Sequence, residues 1–168
     1  MKLSLERLDF SHATRFLESV ARSTELHFPW VAPPSTPDSF REYVEKYRGE
    51  RNISYVAVND NGDLIGCINL SEIVRGSFQS AFLGFHAFVP FAGQGLMKQA
   101  MKFVLAQAFT TLGLHRLEAN IQPNNEPSKR LVQSLGFRHE GFSPRYLKLG
   151  GQWCDHERYA VTAEEWHA

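Results

Sequence analysis

Residues 81–112 constrain the fold more than any other part of the sequence. The stretch begins with an apolar, aromatic-rich run at 81–89, which predicts a buried strand. Pro90 has no backbone N–H to give to a neighbouring strand, so the strand should end there. A turn containing Gly93 and Gly95 follows, and apolar residues then recur at helical spacing. A strand, a glycine turn and an amphipathic helix in this order point several unpaired N–H groups at one anion.

The spacing of the two glycines excludes two common phosphate-binding motifs. A P-loop requires G-x-x-x-x-G-K-[ST], and Lys98 does not stand in such a frame. A dinucleotide fingerprint requires a third glycine three residues after the second, and Lys98 occupies that position. The turn therefore predicts an anion site of another type.

Length and charge indicate one ordinary domain over residues 1–168. The 18 basic residues balance 18 acidic ones without forming a basic run, so we expect no direct contact with nucleic acid. The N-terminus lacks the apolar block of a signal peptide, and no stretch reaches about 18 consecutive apolar residues. We therefore expect a cytoplasmic protein that does not cross a membrane. Cys67 and Cys154 lack metal-site spacing, so we expect free thiols and no metal.

Hydrophobic periodicity and turn residues divide the remaining chain into alternating elements. Strands are predicted at residues 2–9, 52–58, 64–73, 81–89, 114–121, 137–149 and 153–161. Helices are predicted after residues 11, 36, 95 and 125, and a proline-broken segment at 26–37 separates the first two. This order predicts an α/β fold with a mixed, mostly antiparallel central sheet of about six to seven strands and helices on both faces.

The second half of the chain contains several motifs at fixed spacing. Residues 114–137 read LHRLEANIQPNNEPSKRLVQSLGF, and they are followed by Glu140-Gly141, Tyr146 and the run GGQWCDH. With the glycine turn, this order of motifs resembles the GNAT acetyltransferases. Within that superfamily it is similar to the Rim-type branch, and especially to the ribosomal protein S5 alanine N-acetyltransferases. The resemblance is strong over residues 50–166 and implies a GNAT fold.

The resemblance implies acetyl-CoA as cosubstrate, with its pyrophosphate held by the backbone of the glycine turn, residues Gly93, Gln94, Gly95, Leu96, Met97 and Lys98. It also implies that Phe88 and Val89 leave backbone groups free for the pantetheine arm, with an oxyanion donor at or near Val89. Asn125 would bond the pantetheine amide, and Lys98, Lys129 and Arg130 are candidates for the CoA phosphates. Ala92 departs from the family pattern, which usually has Arg or Gln there.

Transfer of an acetyl group to an amine needs no nucleophile on the enzyme. A peptide α-amine has a pKa of about 7.7–8.0, so a modest base is sufficient. The candidate bases are His86, Glu118 and Tyr146. Many N-terminal acetyltransferases have a tyrosine acid where this chain has Val132, so the acid role is left to Ser128, Tyr146 or water.

The acceptor is expected to be the N-terminal α-amine of a protein such as a ribosomal protein. Phe28 and Trp30 on the proline-broken segment, and Tyr146 and Asp155 in the terminal hairpin, are the candidate acceptor-binding residues. A small amine such as a polyamine, an aminoglycoside or an amino-acid-like compound is the alternative acceptor. A CoA-binding module without turnover is a third possibility. The sequence is compatible with a monomer or a homodimer.

Overall fold

The computed structural model describes residues 1–167. Seven strands form one sheet: β1 (Leu3–Arg7), β2 (Ile53–Asn59), β3 (Leu64–Val74), β4 (Ser80–Ala87), β5 (Arg116–Ile121), β6 (Arg138–Leu149) and β7 (Gln152–Thr162). The helices are α1 (Ala13–Arg22), α2 (Thr24–His27), α3 (Pro37–Lys46), α4 (Leu96–Ala106) and α5 (Glu126–Ser134). Among these residues, no helix combines the length and the apolar character that a membrane crossing requires.

The strand order is β1-β2-β3-β4-β5-β7-β6, and every neighbouring pair is antiparallel except β4 and β5. The parallel pairing of β4 with β5 covers only Ser80, Ala81 and Phe82, opposite residues 116–118. Beyond Phe82 the two strands separate, and a cleft opens between their C-terminal ends. The predicted α/β fold with a mostly antiparallel sheet is confirmed.

Each face of the sheet is covered by its own apolar cluster. On one face, α4 contributes Met101, Val104 and Leu105, which are almost fully buried against the sheet. On the other face, Phe16 of α1 and Phe40 of α3 pack against the opposite side of the strands. Because successive strand residues point to opposite faces, the two clusters share the central strands and fix their register.

The helix α3 shows why the local sequence folds as it does. The Thr36 hydroxyl accepts a hydrogen bond of 3.1 Å from the Ser39 N–H, and Pro37 occupies the first turn, where its missing donor costs nothing. Phe40 and Val44 then lie one turn apart on the buried side.

The strand bounds differ from the predicted ones by at most two residues, and two differences from the prediction lie near the cleft. The strand β4 ends at Ala87 rather than at residue 89. The Phe88 N–H still donates to Ile65 of β3, but the Val89 N–H donates to Ser23, directly after α1, so the chain leaves the sheet there. A short helix, α2, overlaps the start of the proline-broken segment, and the sequence does not predict it. The helix α4 reaches its predicted end through a π-helical turn at Gln107–Thr111.

The edge strand β6 is irregular in the middle. Its pairing with β7 shifts register between Ser143 and Leu147, a segment that contains Pro144. Arg145 takes a positive φ of 48°, and its N–H donates to Asp155 Oδ1 at 2.8 Å. The hairpin is therefore bent near Tyr146.

A charge network joins β5 to the edge strand, and its removal should lower stability. Glu140 accepts from both Nη1 and Nη2 of Arg116 and from Arg138 Nη2, the Arg138 bond measuring 2.9 Å. The hydrogen bonds from Arg116 are the main cause that lowers the pKa of Glu140 to about 2. A lowered folded-state pKa stabilises the protein above the unfolded value of about 4.3, and that stabilisation is lost as the pH falls toward 2.

We therefore expect Glu140→Gln to lower the free energy of unfolding by about 1 kcal/mol at pH 7, a value that allows for solvent screening. Urea unfolding at pH 7 and at pH 3 measures the effect, and the difference from wild type should shrink at the lower pH. Glu42→Gln is the matched control, since Glu42 is an exposed carboxylate of α3 and makes no ion pair within residues 1–167. If Glu140→Gln loses the same free energy of unfolding at both pH values, the lowered pKa of Glu140 is not the source of the stability.

Candidate active site

The cleft between β4 and β5 has a volume of about 460 Å³ and is lined by α2, β4, the glycine turn, β5, the start of α5 and the terminal hairpin. It exists because the sheet loses its β4–β5 pairing after Phe82. Within residues 1–167, none of its lining side chains is a carboxylate. Its walls are thus apolar, with a small number of neutral polar groups and Lys98.

The glycine turn forms a cradle at the N-terminus of α4. Gly93 and Gly95 have φ values of 76° and 77°, a backbone region that side chains with a Cβ rarely adopt. No heavy atom lies within 4 Å of the position that a Cβ would take at either glycine. Gly93, Gly95, Met97 and Lys98 line the cleft, whereas Gln94 turns away and donates to the Pro90 carbonyl at 2.7 Å. The free N–H groups of the first helical turn therefore face an open space that suits a phosphate.

The backbone groups expected to be free at the end of β4 are occupied. The Phe88 N–H donates to the Ile65 carbonyl at 2.9 Å, and the Val89 N–H donates to Ser23 Oγ at 3.0 Å. Neither residue lines the cleft, so the prediction that they leave free N–H groups is wrong. Because Phe88 bonds to β3, the backbone of Ala87 must point away from β3 and toward the cleft.

The Ala87 carbonyl is taken by the Nε2–H of His27 at 2.7 Å, which leaves the Ala87 N–H directed at the cleft. The sequence could not show this shift, because the apolar run continues past Ala87 without a change in pattern.

Asn125 and Ser128 lie side by side at the start of α5 and both line the cleft. Asn125 Oδ1 accepts from the Ser128 N–H at a long 3.4 Å, so Asn125 caps the helix. Lys129 does not line the cleft; its Nζ is bound by Glu126 and by Glu157, each at 3.1 Å. Lys98 is thus better placed than Lys129 for a CoA phosphate.

Only one of the three candidate bases lines the cleft. His86 does so, but it is buried, and burial together with the neighbouring His27 lowers the pKa of His86 to about 3. Glu118 lies outside the cleft, with its carboxylate 3.8 Å from Arg116 Nη2. Tyr146 also lies outside it, with its ring centroid 6.2 Å from that of His156.

On the acceptor side, Trp30 lines the cleft and Phe28 does not; Phe28 is 76% exposed beside it. The Trp30 N–H donates to the His27 carbonyl at 2.8 Å, which fixes the turn after α2. Asp155 is held by the Arg145 N–H and does not reach the cleft.

The family that matches this chain is the acetyltransferase (GNAT) domain, over residues 2–138. The chain belongs to the GNAT acetyltransferase family. It is therefore an acetyl-CoA-dependent N-acetyltransferase, and the predicted family and class of enzyme are confirmed.

Among its GNAT relatives is the [ribosomal protein uS5]-alanine N-acetyltransferase of Escherichia coli, at 38% identity over 107 residues. That match covers 64% of this chain but only 55% of the relative. Among solved structures, Mycobacterium smegmatis RimJ in complex with CoA-disulfide has a TM-score of 0.88 at 27% identity, covering 97% of this chain and 83% of that one. The spermidine N-acetyltransferase of Vibrio cholerae with CoA and spermine has a TM-score of 0.82 at 20% identity, with 97% and 96% covered, which shows the fold alone.

The residues present fit the cosubstrate of a GNAT enzyme. The cradle at Gly93 and Gly95 has room for a pyrophosphate that a Cβ would crowd, and Asn125 offers an amide beside the cleft. Four polar residues of the cleft are not among the predicted site residues: His27, Asn120, Gln122 and His156. His156 belongs to the terminal motif of the resemblance, but no pattern in the sequence singles out His27 or Asn120.

Proposed function

We propose that this enzyme transfers the acetyl group of acetyl-CoA to the N-terminal α-amine of a protein, one beginning with alanine or serine, with ribosomal proteins as the first substrates to test. The observation that carries this proposal is the absence of a carboxylate from the cleft lining within residues 1–167. A polycationic acceptor is favoured by acidic walls, whereas a peptide brings one amine and an apolar body. The 38% identity to the E. coli enzyme supports the same acceptor class.

In this proposal the chain contributes binding and orientation. The backbone of Gly93, Gln94, Gly95, Leu96, Met97 and Lys98 holds the pyrophosphate, and Asn125 bonds the pantetheine amide. The Ala87 N–H donates to the thioester oxygen, where negative charge develops as the amine attacks; one such donor contributes about 3 kcal/mol. Ser128 protonates the departing thiolate. Trp30 and Phe28 contact the first side chains of the acceptor.

We also propose a cytoplasmic location, as a monomer or homodimer. Cys67 and Cys154 are both free thiols, which is typical of a reducing compartment. Burial raises the pKa of Cys67 to about 11, so this thiol is kept in its unreactive form.

A panel of acceptors tests the proposal. The purified protein is incubated with acetyl-CoA and peptides that begin with alanine or serine, and thiol release and acetylated product are both measured. The matched control is the same alanine peptide with a blocked N-terminus and one internal lysine. We expect acetylation of the free α-amine only. Turnover with spermidine or an aminoglycoside, without turnover of any peptide, overturns the proposed acceptor.

A further inference from the structure

His156 lies in the cleft wall with one ring nitrogen fixed by the backbone. The residue immediately precedes Glu157, the first residue of β7 that pairs with β5, and it is only 2% exposed. Its Nδ1 lies 2.8 Å from the Cys154 carbonyl oxygen. Because a carbonyl only accepts, Nδ1 carries the proton, and Nε2 of the neutral ring carries the lone pair.

The other two histidines of the cleft are less suited to accept a proton. His27 uses Nε2–H to bond the Ala87 carbonyl, and its Nδ1 is enclosed by protein. His86 makes no hydrogen bond through either ring nitrogen within residues 1–167, so no partner fixes its tautomer; burial and the neighbouring His27 also lower its pKa to about 3, which makes it a weak base. In contrast, His156 Nε2 is not enclosed, and it makes no hydrogen bond within the described part of the chain. It is thus the histidine nitrogen best placed to accept a proton from a bound ligand.

Asn120 gives a second, independent observation at the same place. It pairs with Arg158, two residues from His156 on β7, so the Asn120 and His156 side chains project from the same face of the sheet. Asn120 Oδ1 is enclosed and accepts no hydrogen bond within residues 1–167. A buried acceptor without a donor is costly, and a rotation of the Asn120 side chain toward the cleft that it lines would bring Oδ1 to an N–H group of a ligand.

We propose that His156 is the base that takes the proton of the acceptor amine, while Asn120 Oδ1 holds a second N–H of the same amine. This assignment rests on the proposed acetyl transfer. The amine nitrogen forms a bond to the acetyl carbon, and His156 Nε2 takes the proton that the nitrogen loses. The C–S bond breaks with its electron pair on sulfur, and the thiolate takes a proton from Ser128 or water. The candidate bases Glu118 and Tyr146 do not line the cleft.

The test is His156→Ala in the full chain, assayed with an alanine-initiated peptide. We expect kcat to fall about 100-fold, since general bases contribute that much or more. Acetyl-CoA affinity should be unchanged, and added imidazole should restore part of the lost kcat. Acetylated peptide is measured by mass rather than by thiol release, because imidazole can itself take the acetyl group. Asn120→Leu should raise the KM for the peptide about tenfold with little effect on acetyl-CoA affinity.

Two controls keep the outcome clear. His156→Gln retains most of the side-chain volume and should lose the same kcat with native circular dichroism. His115→Gln, on an exposed histidine paired with Glu164, should behave as wild type.

A His156→Ala variant with wild-type kcat overturns the proposal for His156. Loss of kcat without imidazole rescue, in a variant that still binds acetyl-CoA, assigns the ring a positioning role and also overturns it. An unchanged KM in Asn120→Leu overturns the role of Asn120. If the wild-type enzyme acetylates spermidine and no peptide, the proposed acceptor fails, and the same variants assayed with spermidine still decide the role of His156.

Discussion

Replacement of Gly95 by valine is expected to weaken acetyl-CoA binding about 100-fold. Gly95 caps α4 with a φ of 77°. Glycine adopts this left-handed conformation freely, whereas in a β-branched residue the Cβ substituents clash with the backbone. The new side chain would also occupy the open cradle where the proposed pyrophosphate contacts the backbone. Isothermal titration with CoA measures the effect directly, without dependence on the acceptor.

The matched control for this variant is Gly76→Val. Gly76 lies between β3 and β4 with a φ of 69°, and like Gly95 it has no heavy atom within 4 Å of a built Cβ. The two substitutions therefore impose similar backbone strain, but only one lies at the cleft. Gly76→Val should bind CoA normally. Normal binding by Gly95→Val, or equal loss in both variants, contradicts the assignment of the phosphate cradle.

The largest effect on stability is expected from Phe16→Ala, which should lower the free energy of unfolding by about 3–5 kcal/mol. The Phe16 side chain is fully buried, and its ring centroid lies 5.1 Å from that of Phe40, 5.5 Å from Phe88 and 6.2 Å from His86. Its removal leaves a cavity between α1, α3 and the end of β4, directly behind the wall of the cleft. Urea unfolding of the variant and the wild type measures the loss.

Phe103→Ala serves as the comparison, because Phe103 of α4 is 41% exposed. This variant should lose under about 1 kcal/mol, since little apolar surface returns to water. Similar losses at positions 16 and 103 would show that the aromatic cluster of α1 and α3 does not carry the stability assigned to it.

The elements that the sequence predicts well are those whose signals are local. The meander from β2 to β4 follows from alternating apolar residues and turn residues, and α3 follows from Thr36 and Pro37. The end of β4 was missed because its determinants are remote. Ser23 and Arg22, which hold the backbone of Val89, lie 66 and 67 residues away in the sequence.

The candidate site also contains residues that local sequence signals predict and residues that depend on remote contacts. The glycine turn, Asn125 and Ser128 are close in sequence to helix starts, and the structure brings all of them to one cleft. Alternation along β5 separates Glu118 from its neighbours, but it does not say which residues meet the cleft. Which residues of β5 meet the cleft depends on where β4 and β5 separate. His156 depends in the same way on the register of β7 with β5.

The bent edge strand has a consequence for how these molecules behave at high concentration. An edge strand of 12 residues is a template onto which another chain can add a strand, the first step toward aggregation. On β6 that template is broken, because Pro144 has no N–H to offer and the N–H of Arg145 is already bound to Asp155. Arg138 and Lys148 place charge near its two ends. The bend that brings Tyr146 against His156 thus also protects the molecule from sheet-to-sheet association with its copies.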